Sequence, residues 1–180
     1  PYKAGCWPSL WLRSPNAAQT NSTGKDGYNM EVDIIEPFGY TDKNGITIHE
    51  TNKSDEKDHC QAAVGSYKFK NAENLANEYH TYGFLWTADE MKFYIDGECF
   101  ATYTKDTLAR MGYKGDFDDT VNILFDNQLI TTNSPVANEE KTNTIENNEG
   151  SLPAEYSVEY VRLYQKQGDV LVLETPADGQ

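Results

Sequence analysis

Long apolar runs are missing from this sequence. Its most hydrophobic stretches are as short as VNILF at 121–125, whereas a helical membrane span takes about 20 apolar residues. No membrane segment is expected. Cysteine is scarce: Cys6, Cys60 and Cys99 make an odd set with no CxxC-type spacing. One disulfide plus a thiol, or three thiols, both fit, and no structural disulfide is expected. Basic charge is also short, with 15 Lys and Arg against 29 Asp and Glu and a net charge of −14. Such a surface repels phosphate backbones and anionic lipid, which argues against nucleic acid and membrane partners and suits a neutral ligand. The chain starts at Pro1 with neither an initiator Met nor a signal-peptide pattern, so a processed or shortened chain is expected.

What is present fits one globular domain. The 180 residues, 38% of them hydrophobic, suffice for a single domain over 1–180 with a sizeable core. Aromatic residues reach 12%, including twelve Tyr and three Trp. Flat aromatic faces suit sugars, but a β-rich core accounts for them equally well. Period-two patterning predicts strands at 30–35, 45–50, 80–86, 91–97, 98–104, 120–126 and 155–165. Asp96-Gly97 predicts a hairpin turn. A short turn is expected at 87–90, one short helix at 105–112, and long loops at 14–29 and 131–151. Many short strands with such turns predict an all-β sandwich or jelly roll of two antiparallel sheets.

The stretch EVDIIE at 31–36 breaks the alternation. Glu31 and Asp33, two apart, share one strand face, whereas Glu36, five beyond Glu31, falls on the opposite one. Acids beside Val32, Ile34 and Ile35 are costly unless they line a solvated cleft. A β-bulge at Ile34–Ile35 adds one residue and returns Glu36 to the face of Glu31 and Asp33. Crowded carboxylates raise at least one pKa, leaving one acid protonated near neutral pH and one ionised. Glycosidic bond cleavage uses that division: one carboxylate attacks and the other protonates the leaving oxygen. A solvent-facing strand edge with scattered acids fits the spacing almost as well.

Other segments break the tie. GCWPSLWLRS from Gly5, EVDIIEPFG from Glu31, YHTYGFLWTADEMKFYIDGE from Tyr79 and EYVRLYQ from Glu159 together resemble the family 16 glycoside hydrolases. They occur in that family's order and span residues 5 to 165. The resemblance implies a β-jelly-roll endo-glycanase with a retaining mechanism. Glu31 matches the nucleophile, Glu36 the general acid/base and Asp33 the residue that assists the nucleophile. The E-x-D-x-x-E spacing is similar to the bulged form of laminarinase-like members. By the same likeness Trp11 lies at the sugar subsites beside the nucleophile, His49 lies beside the cleaved bond, and Asp126 and Asn127, after NILF, stand where family members place a polar cleft residue. Trp7, four residues from Trp11, shares a strand face with it; burial is the favoured expectation, with sugar contact as the alternative. His80 and Trp86 match positions that look structural, and His59 has a weaker claim on the site. Family members carry several strands ahead of the tryptophan-rich segment, so an N-terminally incomplete domain with exposed edges and apolar faces is expected.

The resemblance also implies a polysaccharide partner, a secreted or cell-surface location and a monomer. No metal at the site and no cofactor is required, and a structural calcium ion is allowed. β-1,3-glucan or mixed β-1,3/1,4-glucan is the expected substrate. A lectin-like jelly roll without hydrolysis and a family member acting on a marine galactan are the alternatives. Fold alone does not choose among these, but a pure binder has no need of two glutamates and an aspartate on one face. A calcium-stabilised adhesion domain fits poorly, since calcium loops favour Asp, Asn and carbonyls on turns. TDKNG at 41–45 has that composition without the remaining ligands.

Overall fold

The computed structural model describes residues 3–14, 27–52, 54–55, 57–115, 117 and 120–166. Most of the loop expected at 14–29 lies outside them. The elements run β1 (Cys6–Arg13), β2 (Tyr28–Glu36), β3 (Lys43–Asn52), β4 (His59–Lys68), α1 (Ala72–Asn77), β5 (Tyr82–Trp86), β6 (Glu90–Ile95), β7 (Glu98–Thr104), α2 (Lys105–Arg110) and β8 (Asn122–Leu129). Two single-turn 3₁₀ helices follow at Ile145–Asn147 and Glu149–Ser151.

The strands form two antiparallel sheets, one ordered β4-β3-β2-β1-β8 and the other β5-β6-β7. They pack as the expected sandwich. Alternation sends Val32, Ile46, Ile48 and Ala62 inward from the larger sheet, and Met91, Phe93 and Ile95 meet them from β6. Asp96 and Gly97 close the β6–β7 hairpin with φ of 51° and 83°, the left-handed pair that matches strand twist. The helices are short and capped. The Asn71 side chain accepts from the Asn74 N–H at 2.8 Å, and Thr104 Oγ1 accepts from the Thr107 N–H at 3.2 Å. Each helix plugs one leucine, Leu75 or Leu108, into the core.

After α2 the chain returns to place β8 beside β1 at the far edge. There Ile123, Phe125 and Leu129, all on one strand face, stay exposed. The stretch 155–165, expected as a strand, forms none. Its pattern is present, but a strand is stabilised by cross-strand pairing and a covered face. Among the described residues no strand pairs with it, and Val158, Tyr160, Val161, Leu163 and Tyr164 remain exposed. Three elements fall outside the strands and helix expected from the patterning: β1, β4, interrupted by Gly65, and the single-turn-scale α1.

Candidate active site

The bulge is present where the acids require it. Asp33 pairs with Thr47 and Glu36 with Gly45, so Ile34 and Ile35 together oppose Ile46 alone. On the other side Asp33 faces Trp11 while Ile35 faces Leu10, again with a shift at Ile34. Both isoleucines bury their side chains, at 6% and 4% exposure. The extra residue restores Glu36 to the outer face with Glu31 and Asp33. Asn44 closes the gap in the ladder: its Oδ1 accepts from the Glu36 N–H at 3.0 Å and its Nδ2 donates to the Ile34 carbonyl at 2.9 Å.

Directly paired residues of antiparallel strands share a face, and this assembles the rest. Glu31 pairs with Arg13 on β1 and His49 on β3, and Asp33 with Trp11 and Thr47. Arg13 Nε lies 3.5 Å from Glu31 Oε2, and the Arg13 guanidinium is 5.7 Å from the centre of the Trp11 ring. His49 Nε2 lies 3.2 Å from Asp33 Oδ2, an ion-pair distance without hydrogen-bond alignment at that oxygen. The other His49 nitrogen, Nδ1, is 3.3 Å from His59 Nε2, and His59 Nδ1 is 3.0 Å from Thr51 Oγ1. The Thr47 hydroxyl reaches Glu36 Oε2 at 3.5 Å.

The electrostatics separate the two glutamates. Burial, then the charges of Asp33 and Glu31, push Glu36 up to about 8, against the opposing effects of His49 and Thr47. It therefore carries a proton at neutral pH. Burial and Asp33 also raise Glu31, but His49 and Arg13 both pull against them. Burial works to lower His49, yet contact with Asp33 and the charges of Asp33, Glu31 and Glu36 win, so its net shift is upward. The three carboxyls around the ring thus favour its protonated form more than water does. Donor atoms of Glu31, Asp33 and His49 all lie within 4.8 Å of one another. Among the described residues these are the ones on this face that could hold a divalent ion, and an ion there would occupy the Glu31 carboxylate.

The remaining expected residues divide by face. Trp7 and Trp11 lie on the outer face of β1, half-buried, with Trp7 edge-on to Phe38 at 5.2 Å between ring centres. Asp126 shares that face and accepts from the Ser9 hydroxyl. Asn127 does not. It pairs with Pro8, and strand alternation turns it to the back. His80 uses both ring nitrogens structurally, 2.8 Å from Asp96 Oδ2 and 3.0 Å from the Asn74 carbonyl oxygen. His59, given only a weaker claim from sequence, stands against His49, whereas Arg13, Asn44 and Thr47 were not singled out. Arg13, two residues from Trp11 and so on its face, was the one with a usable signal.

With this geometry in place, the comparisons with known proteins are specific. The family model "Glycosyl hydrolases family 16" matches residues 1–145. A glucan endo-1,3-beta-glucosidase A1 of Niallia circulans is 28% identical over 166 residues, covering 91% of this chain and 22% of that protein. The endo-1,3-1,4-beta-glycanase ExsH of Rhizobium meliloti is 27% identical over 101 residues, 56% of this chain and 18% of its own length. The catalytic domain of a Thermotoga petrophila endo-1,3-beta-glucanase (laminarinase) superposes with a TM-score of 0.53 at 22% identity, over 72% of this chain and 49% of that domain. That is a likeness of fold. The chain thus spans about a fifth of these curated relatives and about half of the solved domain. By the family match over most of its length, the chain belongs to family 16 of the glycosyl hydrolases.

Proposed function

We propose that the protein is a retaining endo-acting β-glucanase that cuts internal bonds of β-1,3-glucan or mixed β-1,3/1,4-glucan. The observation that carries this reading is the bulge, which sets a protonated Glu36 on the same face as Glu31. In the first half-reaction the Glu31 carboxylate attacks the anomeric carbon. The bond to the leaving sugar oxygen breaks as Glu36 gives that oxygen its proton. In the second, the Glu36 carboxylate takes a proton from water, whose oxygen attacks the same carbon and releases Glu31. Asp33 serves both: its charge favours the proton on Glu36 and holds His49 close.

The reaction as written needs no cofactor. Trp11, beside Asp33 in the pairing, offers an apolar face for a sugar ring, and Trp7 extends it along β1. The relatives named for 1,3- and 1,3-1,4-linked glucans support the substrate class. A polymeric substrate favours action outside the cytoplasm. The test is release of reducing ends from a panel of polysaccharides, with Glu31→Gln as control. Release from β-1,3-glucan or mixed-linkage glucan that the variant lacks supports the reading. Activity confined to galactans overturns the substrate, and no release from any member overturns the hydrolase.

A further inference from the structure

We infer that Asn44 is a positioning residue for the acid step: its side chain, clamped across the bulge, fixes the direction in which Glu36 leaves β2. The inference rests on the reading of Glu36 as the acid/base. A bulge leaves backbone groups without ladder partners, and such groups are costly to bury unpaired. Here both are claimed by one side chain. Asn44 is fully buried, and its two hydrogen bonds, at 3.0 Å to the Glu36 N–H and 2.9 Å to the Ile34 carbonyl, bracket Ile35. The amide orientation is fixed by its partners, because a backbone N–H can only donate and a carbonyl only accept. Asn is the residue this clamp needs. Asp keeps the acceptor and turns the other contact repulsive; Ala leaves both backbone groups unpaired.

The next residue supports the same point. Gly45 lies opposite Glu36 in the pairing, and a Cβ built there meets the Glu36 carbonyl oxygen at 3.1 Å. The Glu36 backbone is thus held tight against β3 at this pair. Asn44 holds the Glu36 backbone from one side, and the missing side chain of Gly45 lets it approach.

A residue that merely supports the fold would, when changed, slow every substrate alike. A residue that aims the acid slows only substrates whose leaving group needs a proton. The experiment measures kcat/KM of Asn44→Asp, Asn44→Ala and Gly45→Ala on two aryl β-glucosides of the same oligosaccharide. One carries a poor leaving group such as phenol and the other an activated one such as 2,4-dinitrophenol. Glu36→Gln is the reference, and circular dichroism checks folding. Gly45→Ala leaves the Asn44 side chain in place and serves if the Asn44 variants do not fold.

The expected result is a loss of about tenfold or more on the phenyl glycoside, part of the 10²–10⁴ that general acid catalysis supplies, with the dinitrophenyl substrate nearly unaffected. The alkaline limb of the pH profile should also move in the variants. Equal losses on both substrates, or none on either, while Glu36→Gln shows the split, would overturn the role of Asn44 and leave the acid/base assignment standing. No split in Glu36→Gln itself would overturn both.

Discussion

Glu36→Gln should make the protein inactive on polysaccharide and, at alkaline pH, more stable. The folded protein holds the Glu36 proton up to about 8, against 4.5 for the free side chain. The folded state therefore binds this proton more tightly than the unfolded state, and stability falls as pH rises through the window from 4.5 to about 8. Below that window the carboxyl is protonated in both states and the penalty vanishes. Each pH unit is worth about 1.4 kcal/mol, which sets a ceiling of about 5 kcal/mol for the whole window. Solvent reaches part of this side chain, and screening brings the expected figure to about 2–3 kcal/mol. Glutamine carries no titrating group, keeps the shape, and relieves the repulsion on Glu31 and Asp33 as well. Urea unfolding of both proteins at pH 4 and pH 9 measures it, with the difference between midpoints converted through a common m. The variant should gain on the parent between those two values. A gap that stays within about 0.5 kcal/mol across the range would refute the claim that the fold holds this proton, since that claim requires the full linkage. In the parent, kcat/KM should decline as pH rises through the same value of about 8.

Glu31→Gln should abolish hydrolysis by several orders of magnitude while leaving polysaccharide binding nearly intact, because a covalent step is lost and the shape is kept; even a tenth of parental activity would remove Glu31 from the nucleophile role. Proton NMR of the first-formed product should show retained anomeric configuration, and an inverted first product would show that the carboxyls lie farther apart than the about 5–5.5 Å of retaining enzymes. Glu50, buried on the core side of β3, accepts from the Lys114 and Gly115 N–H groups at 2.6 and 2.7 Å. Glu50→Gln, which must turn a donor or a single oxygen toward that pair, should cost about 2–3 kcal/mol in urea unfolding without any leaving-group dependence in catalysis.

Where alternation was strong, the sequence carried the fold: β2, β3 and β5 to β8 follow their patterns, and the Asp96-Gly97 turn follows its dipeptide. β4 escaped because HCQAAVGSYK has weak strand propensity and a glycine, and it is held by pairing with β3. Gly65, with φ of 135°, sits at an irregularity where the register slips between Ile46 and Thr47. α1 spans six residues, too few to show a helical period, and its Asn71 cap was the one clue. Asn127 was misplaced because neighbours in a strand point opposite ways and only the register with β1 says which faces out. The TDKNG stretch was composed like a calcium loop, yet Lys43, Asn44 and Gly45 open β3 and Asn44 faces inward to the bulge. His59 joined His49 through pairing of β3 with β4, a contact no local pattern records.

The three acids were legible because their alternative is expensive. A regular strand over 31–36 would send Glu36 into the core beside Val32 and Ile34, and would turn Ile35 out to solvent. Exposing an isoleucine forgoes about 1.5–3 kcal/mol, and burying a carboxyl without partners costs at least about as much. The bulge disturbs ladder hydrogen bonds worth about 1 kcal/mol each, and Asn44 replaces two of the contacts they would have made. The irregular strand is thus favoured by the consecutive isoleucines themselves. Their burial in the core and the aim of Glu36 on the outer face are one event. A polar residue at Ile35 would weaken the hydrophobic reason for the bulge and, with it, the direction of the acid, although residue 35 touches no substrate.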